Sequence, residues 1–138
     1  MTLSSPTDPI LTNNTATATT SVNPPLFLPA VQNVKITASG PGPAAGGALT
    51  LTWDPPASFG QGCTDAQYDV LRSSKASDFV TSAACVATNL TVTTATDNDL
   101  TPMNPGEVRY YLVRDHNACG SNMGTSSDGT PIQGRSCS

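Results

Sequence analysis

The stretch that most limits what this chain can become is Glu107-Val-Arg-Tyr-Tyr-Leu-Val-Arg-Asp115. Aromatic and β-branched residues crowd it, and neither glycine nor proline interrupts the chain between Gly106 and Gly120. Such a composition fits a pleated, half-buried strand better than a helix. Apolar groups fall on both alternating sets: Val108, Tyr110 and Leu112 on one, Tyr111 and Val113 on the other. A strand that is apolar on both faces sits centrally, with one face on the core and the other partly covered. The stretch therefore reads as the central strand of a β-sandwich, with the choice of core face left open.

Other segments alternate in the same way. Val34 and Ile36 alternate with Lys35 and Thr37 over residues 31–38. Leu49, Leu51 and Trp53 point inward and Thr50 and Thr52 outward over residues 48–53. Asp54-Pro-Pro ends that strand, because proline brings no N–H to a ladder. Residues 67–72, 79–86, 90–96 and 124–132 supply the remaining strands, with 79–86 at a sheet edge and turns rich in glycine, proline, serine or aspartate between them. Seven short strands at this spacing predict an all-β, immunoglobulin-like Greek-key sandwich over residues 30–138. Trp53 shares its strand face with Leu49 and Leu51, so it reads as core and not as a platform for a sugar ring.

Residues 1–29 differ from the rest. Thr12-Asn-Asn-Thr-Ala-Thr-Ala-Thr-Thr-Ser21 is small and polar, and Pro6, Pro9, Pro24, Pro25 and Pro29 punctuate the segment. One reading is a linker or an O-glycosylated stalk. A second is a strand donated to a neighbouring copy, since Thr and Val suit strands and apolar residues flank the run: Ile10 and Leu11 before it, Val22, Leu26, Phe27 and Leu28 after it. A membrane anchor is the third.

At 138 residues the chain is long enough for a real core. Only 12% of its residues are charged, which argues against a cytosolic helical protein and for a turn-rich extracellular one. A formal charge of −4 provides no basic footprint for nucleic acid. Four cysteines without Cys-x-x-Cys spacing, and a lone His116, read as two disulfides and not as zinc ligands, which implies an oxidising compartment. No apolar run reaches membrane-spanning length. Residues 1–30 lack a basic start followed by an apolar run, which fits a secreted chain whose signal has been removed or a piece of a longer protein.

Leu49-Thr-Leu-Thr-Trp53-Asp-Pro-Pro56, with Pro29-Ala-Val-Gln-Asn-Val-Lys-Ile36 upstream, resembles the second-strand region of a fibronectin type III domain. Leu100-Thr-Pro, Pro105-Gly106 and Tyr111-x-Val113-Arg-x-x-Asn117 are similar to that family's crossing loop and sixth strand, and the likeness covers about residues 29–133. It is closer still to a disulfide-bearing variant found in secreted bacterial proteins. The residues that match are Tyr68-Asp-Val-Leu-Arg-Ser73, Asp78-Phe79, Cys85, Tyr110-Tyr-Leu-Val-Arg114, Asn117-Ala-Cys-Gly120, Gly124-Thr-Ser-Ser-Asp-Gly129 and Cys137. This resemblance implies pairing Cys63 with Cys85 and Cys119 with Cys137, one of three possible connectivities. The family's corner tyrosine falls on Arg109 in this sequence.

Chemistry-bearing candidates are few. No Gly-x-Ser-x-Gly elbow is present, and Asp115-His-Asn117 lacks a nucleophile, so no catalytic residue is assigned and no enzyme is expected. Asp97 and Asp99 with Glu107 form a candidate calcium set, and Asp65, Asp115 and Asp128 a looser one, although Asp and Asn also serve as turn residues. No other cofactor is implied. Asn13 and Asn89 each open a glycosylation sequon. Tyr110 with Leu112, or Tyr111 with Val113, must face away from the core and so form a partner surface, unless Phe27 or Leu28 covers them.

The sequence thus predicts a non-enzymatic structural module, secreted or held at a cell surface. It self-associates through N-terminal strand addition into a surface assembly or filament, with no nucleic-acid partner and no membrane insertion. The competing reading is an accessory binding or spacer domain of a secreted bacterial enzyme or adhesin that touches polysaccharide. The scarcity of aromatic residues, 5% of the chain, weighs against a sugar platform.

Overall fold

The computed structural model of the chain describes residues 28–38, 40 and 47–137. Within them lie seven strands and no helix: β1 (Gln32–Ala38), β2 (Leu49–Asp54), β3 (Gln67–Ser73), β4 (Ala83–Leu90), β5 (Thr94–Asp97), β6 (Tyr110–Asn117) and β7 (Gly120–Asn122). Two antiparallel sheets form, ordered β1-β2-β5 and β4-β3-β6-β7. The alternation in β2 is as the sequence implies, with Leu49, Leu51 and Trp53 buried. Leu51 and Trp53 meet Tyr68 and Val70 of β3, Ala95 of β5 and Val113 of β6 between the sheets. Trp53 packs edge-on against Tyr68, ring centroids 5.4 Å apart.

The two faces of β6 are now distinguished. Val113 lies in the core and Tyr111 packs against it, so Tyr110 and Leu112 face outward. Leu112 is not left bare. A second, smaller cluster of Leu71, Phe79 and Ala83 forms on the outer face of the four-stranded sheet, with Leu112 and Cys137 packed against it. The C-terminal segment closes over this face. Arg135 donates its N–H to the carbonyl of Phe79 and its guanidinium to that of Ala83, while Gly134 lies close against Met123 and Leu112. Hence β3 is buried on both faces.

Several boundaries move. The stretch from residue 107 becomes a strand only at Tyr110, because Glu107 turns back to bond Asn104 across Gly106, whose φ is +90°. The expected strand at 79–86 is displaced to Ala83–Leu90. Before it, the Asp78 carboxylate binds the N–H groups of Val80 and Thr81 and the hydroxyls of Thr81 and Ser82, which closes a turn. The β-branched run 91–93 bends between β4 and β5 instead of extending β5. The final strand predicted at 124–132 is absent. Gly124 and Gly129, both at positive φ, make this segment a turn held by one bridge between Thr125 and Pro131, and β7 spans only three residues, ending at Asn122.

The disulfide pairing implied by the resemblance is also corrected. Cys63 joins Cys119 and Cys85 joins Cys137. Sheet register explains both. Gln67 pairs with His116, which brings the loop before β3 to the β6–β7 hairpin. Cys85 pairs with Leu71, under the outer cluster that the C-terminal segment covers. Replacing Cys85 and Cys137 together by serine is expected to lower the unfolding free energy by about 4 kcal/mol, because the bridge closes a loop across 52 positions. Guanidinium titration measures it; an unchanged midpoint would mean the C-terminal segment is held without the bond.

Candidate functional site

Charged groups gather at the end of the sandwich where β5 stops. Arg72 and Tyr111 are register partners on β3 and β6, and both project toward Asp97 at the end of β5. The Arg72 guanidinium donates from Nη1 to both Asp97 oxygens, at 2.9 and 2.7 Å, and places Nη2 2.8 Å from Asp99 Oδ2. The Tyr111 hydroxyl donates to Asp97 Oδ2 at 2.7 Å, and the Asp99 N–H donates to Asp97 Oδ1 at 2.9 Å. Burial pushes the Asp97 carboxyl up, but these donors outweigh it and hold it below the ordinary range. Asp99, bonded by Thr101 and flanked by Arg72 and Arg109, is held down at about 2. Burial and then the bond to Asp97 push Tyr111 up to about 12.

Arg109, at the corner position, donates to the carbonyls of Asp99 and Thr101 at 3.1 and 2.9 Å. It therefore ties the start of β6 back to the upstream loop. The candidate calcium ligands are placed by these contacts. Asp97 and Asp99 neutralise arginines, while Glu107 caps Asn104. Of the looser set, Asp128 binds Ser126 and the Thr130 N–H, Asp65 presents its carbonyl to Asn117, and Asp115 is buried in β6. Among the described residues no group of three or more His, Cys, Asp or Glu stands together as a metal set.

On the outer face of the four-stranded sheet Asp69 is fully buried. It pairs with Arg114, accepts the Asn89 N–H at 2.9 Å, and has His116 Nε2 3.4 Å away. Asn89 has a positive φ and an exposed side chain, so its sequon is accessible. Asn13 lies outside the described residues. Asp115 occupies the inward face of β6, two residues beyond Val113 and opposite Tyr68. Neither carboxyl oxygen has a hydrogen-bond partner among the described residues, and burial pushes the group up to about 7.

Two surface features remain. A cleft of about 590 Å3 opens beside β4 and the crossing loop, lined by Ser82, Ala84, Met103, Val108 and the half-exposed Tyr110. The second feature lies at the β7 edge, where β7 pairs only with residues 115–117 of β6. Residues 110–114 have β3 on one side and, among the described residues, no strand on the other.

Of the proposed partner contacts, Ile10, Leu11, Val22, Leu26 and Phe27 lie outside the described residues. Leu28 is in the core, 2% exposed, and Asn122 Nδ2 donates to its carbonyl, so it anchors the chain inside the sandwich and is no contact surface. Tyr110 borders the cleft and Leu112 lies under the C-terminal segment. Sequence reasoning missed Arg72 and Asp69, and no spacing marks either one, since their partners lie 20 or more residues away. No protein-family model and no curated protein sequence matches the chain.

Proposed function

We propose that the chain is a non-enzymatic extracellular structural module with a fibronectin type III-like sandwich. Copies of it join through the N-terminal segment into a surface assembly or filament. The pairing of β2 with β5 and of β3 with β6, in separate sheets, supports the immunoglobulin-like reading. Two disulfides suit a compartment outside the cell. The observation that carries the assembly reading is that the four-stranded sheet ends in a strand of three residues beside a β6 of eight, which leaves an edge long enough to take a further strand. Sedimentation velocity and electron microscopy of the full chain over rising concentration test it. Growth into longer species is expected, and a strict monomer at every concentration removes the proposal.

A second reading, an accessory domain that touches polysaccharide, draws on Tyr110 at the mouth of the polar cleft. It predicts a monomer whose tyrosine fluorescence responds to a soluble glycan, and a Tyr110→Ala variant that does not respond.

A further inference from the structure

Resting on that assembly reading, we infer where the donated strand binds: in the vacancy beside residues 110–114 of β6, with the occupant drawn from residues 10–27 of a second copy. Two independent features of the fold meet there. One is the unpaired edge of β6, whose ladder toward β7 stops at Asp115. The other lies on the facing sheet. β1 pairs Ile36 with Leu51 and Ala38 with Leu49, both buried inward positions of β2, so Ile36 also points inward. Yet Ile36 is 49% exposed, and Val34 two residues before it is 43% exposed.

The stacking of the sheets accounts for this. β5 touches β4, so β1 lies over the β7 side of the opposite sheet. Levels along the strands also coincide. Trp53 packs on Tyr68, whose register partner is Asp115, and two steps further along lie Leu51 and Val113, with Ile36 beside Leu51. Ile36 therefore overhangs the place where a longer β7 would run. An extended segment laid there would complete the β6 ladder and cover Ile36 in one step.

The geometry of Leu28 selects the occupant. Its carbonyl is held by Asn122, and a Cβ on Gly124 would lie 3.8 Å from that of Ala30, so residues 28–30 pass beside β7. Twenty-seven residues precede Leu28. Folded back along their own β6 they would run parallel to it, in a sheet whose named pairs are all antiparallel. Parallel pairing is the weaker arrangement, whereas a second copy can enter antiparallel. Extended at about 3.3 Å per residue, 27 residues reach far beyond one domain. The run Thr15-Ala-Thr-Ala-Thr19 has the small and β-branched side chains that a narrow slot admits.

Two full-length variants test it. Ile36→Lys puts a charge in the slot at a half-exposed position, so the fold itself is retained. Thr17→Pro with Thr19→Pro removes two donors from the incoming strand. Each variant alone is expected to be monomeric with wild-type thermal stability, and the two mixed are expected to give a one-to-one dimer and nothing longer. The mixture contains a single compatible leader and slot. An Ile36→Lys protein that assembles as the wild type does overturns the slot and leaves the assembly reading standing. Wild-type assembly by the proline variant overturns the leader as occupant. A monomeric wild type removes the assembly reading itself, and the slot with it.

Discussion

The unfolding free energy of this protein is expected to fall by about 4 kcal/mol as pH rises from about 4 to about 7, and the Asp115→Asn variant is expected to lose that fall. Asp115 sits on the inward face of β6, fully buried, between Tyr68 on one neighbouring strand and Asn122 on the other. Burial favours its neutral form and moves it from 3.8 to about 7. Below the lower value both folded and unfolded chains hold the proton, so the folded state bears no penalty. Between the two values only the folded chain holds it, and each increment of pH favours unfolding. Above about 7 the carboxylate is ionised in both states and the loss is complete.

The other shifted carboxyl groups act in the opposite sense and in a different window. Asp97, Asp99 and Asp128 are held below the ordinary range by hydrogen bonds, joined by arginines at Asp97 and Asp99, so the stability they confer is present above that range and lost in stronger acid. The two sets together give a maximum close to pH 4. Urea titrations at about pH 4, 6 and 8 on the wild type and Asp115→Asn read this directly. A wild-type profile that is flat over that range would remove the buried, neutral Asp115 from the account. Tyr68 offers a second check, because its hydroxyl is raised first by burial and then by the Asp115 charge, and the amide variant relieves the second cause.

Most of the sandwich was legible in the sequence because alternation reports burial residue by residue. Leu49, Leu51 and Trp53 needed nothing else. Where a contact depends on register between distant strands, the sequence is silent. The contact of Arg72 with Asp97 across 25 residues becomes visible only once the two sheets face each other, and the pairing of Cys63 with Cys119 across 56 only once β3 lies against β6. The resemblance supplied a different disulfide pairing, built from neighbours in the chain, and the fold joins neighbours in space. Leu28 shows the same limit from the other side. It lies among prolines and apolar residues that suit a leader, yet it fills the core because residues 28–30 run beside β7. Pattern also misplaced the last strand. Residues 124–132 look extended, but the left-handed conformation of Gly124 and Gly129 spends them on a turn. Val34 and Ile36 alternate with Lys35 and Thr37 as a half-buried strand would, yet both are about half exposed among the described residues, which no property of a single strand reveals.

Replacing Arg72 by methionine is expected to cost about 4 kcal/mol, since removing one partner of a buried ion pair leaves the other charge uncompensated. Asp97 is 4% exposed and receives two of its four hydrogen bonds from this guanidinium. The Tyr111 hydroxyl and the Asp99 N–H remain, so the carboxylate keeps part of its solvation but loses its counter-charge. Asp99 loses a partner too, though it keeps Arg109 at 3.4 Å and its turn bonds. Arg72→Lys should fall between, because an ammonium retains the charge without the planar fork whose Nη1 meets Asp97 and whose Nη2 meets Asp99. Arg72→Met with Asp97→Asn should recover much of the loss, since no buried charge is then left alone. A double-mutant cycle by denaturant titration gives the coupling. A loss below about 1 kcal/mol for Arg72→Met would place the pair with exposed salt bridges. The consequence extends along β6. Arg72 and Tyr111 face each other in register, and Asp97 bolts both to the opposite sheet at the end where β6 has no β7 beside it. That bolt fixes the end of β6 that has β3 but, among the described residues, no further strand beside it. Amide exchange over residues 110–114 should therefore quicken in Arg72→Met while exchange at residues 115–117, still paired with β7, changes less.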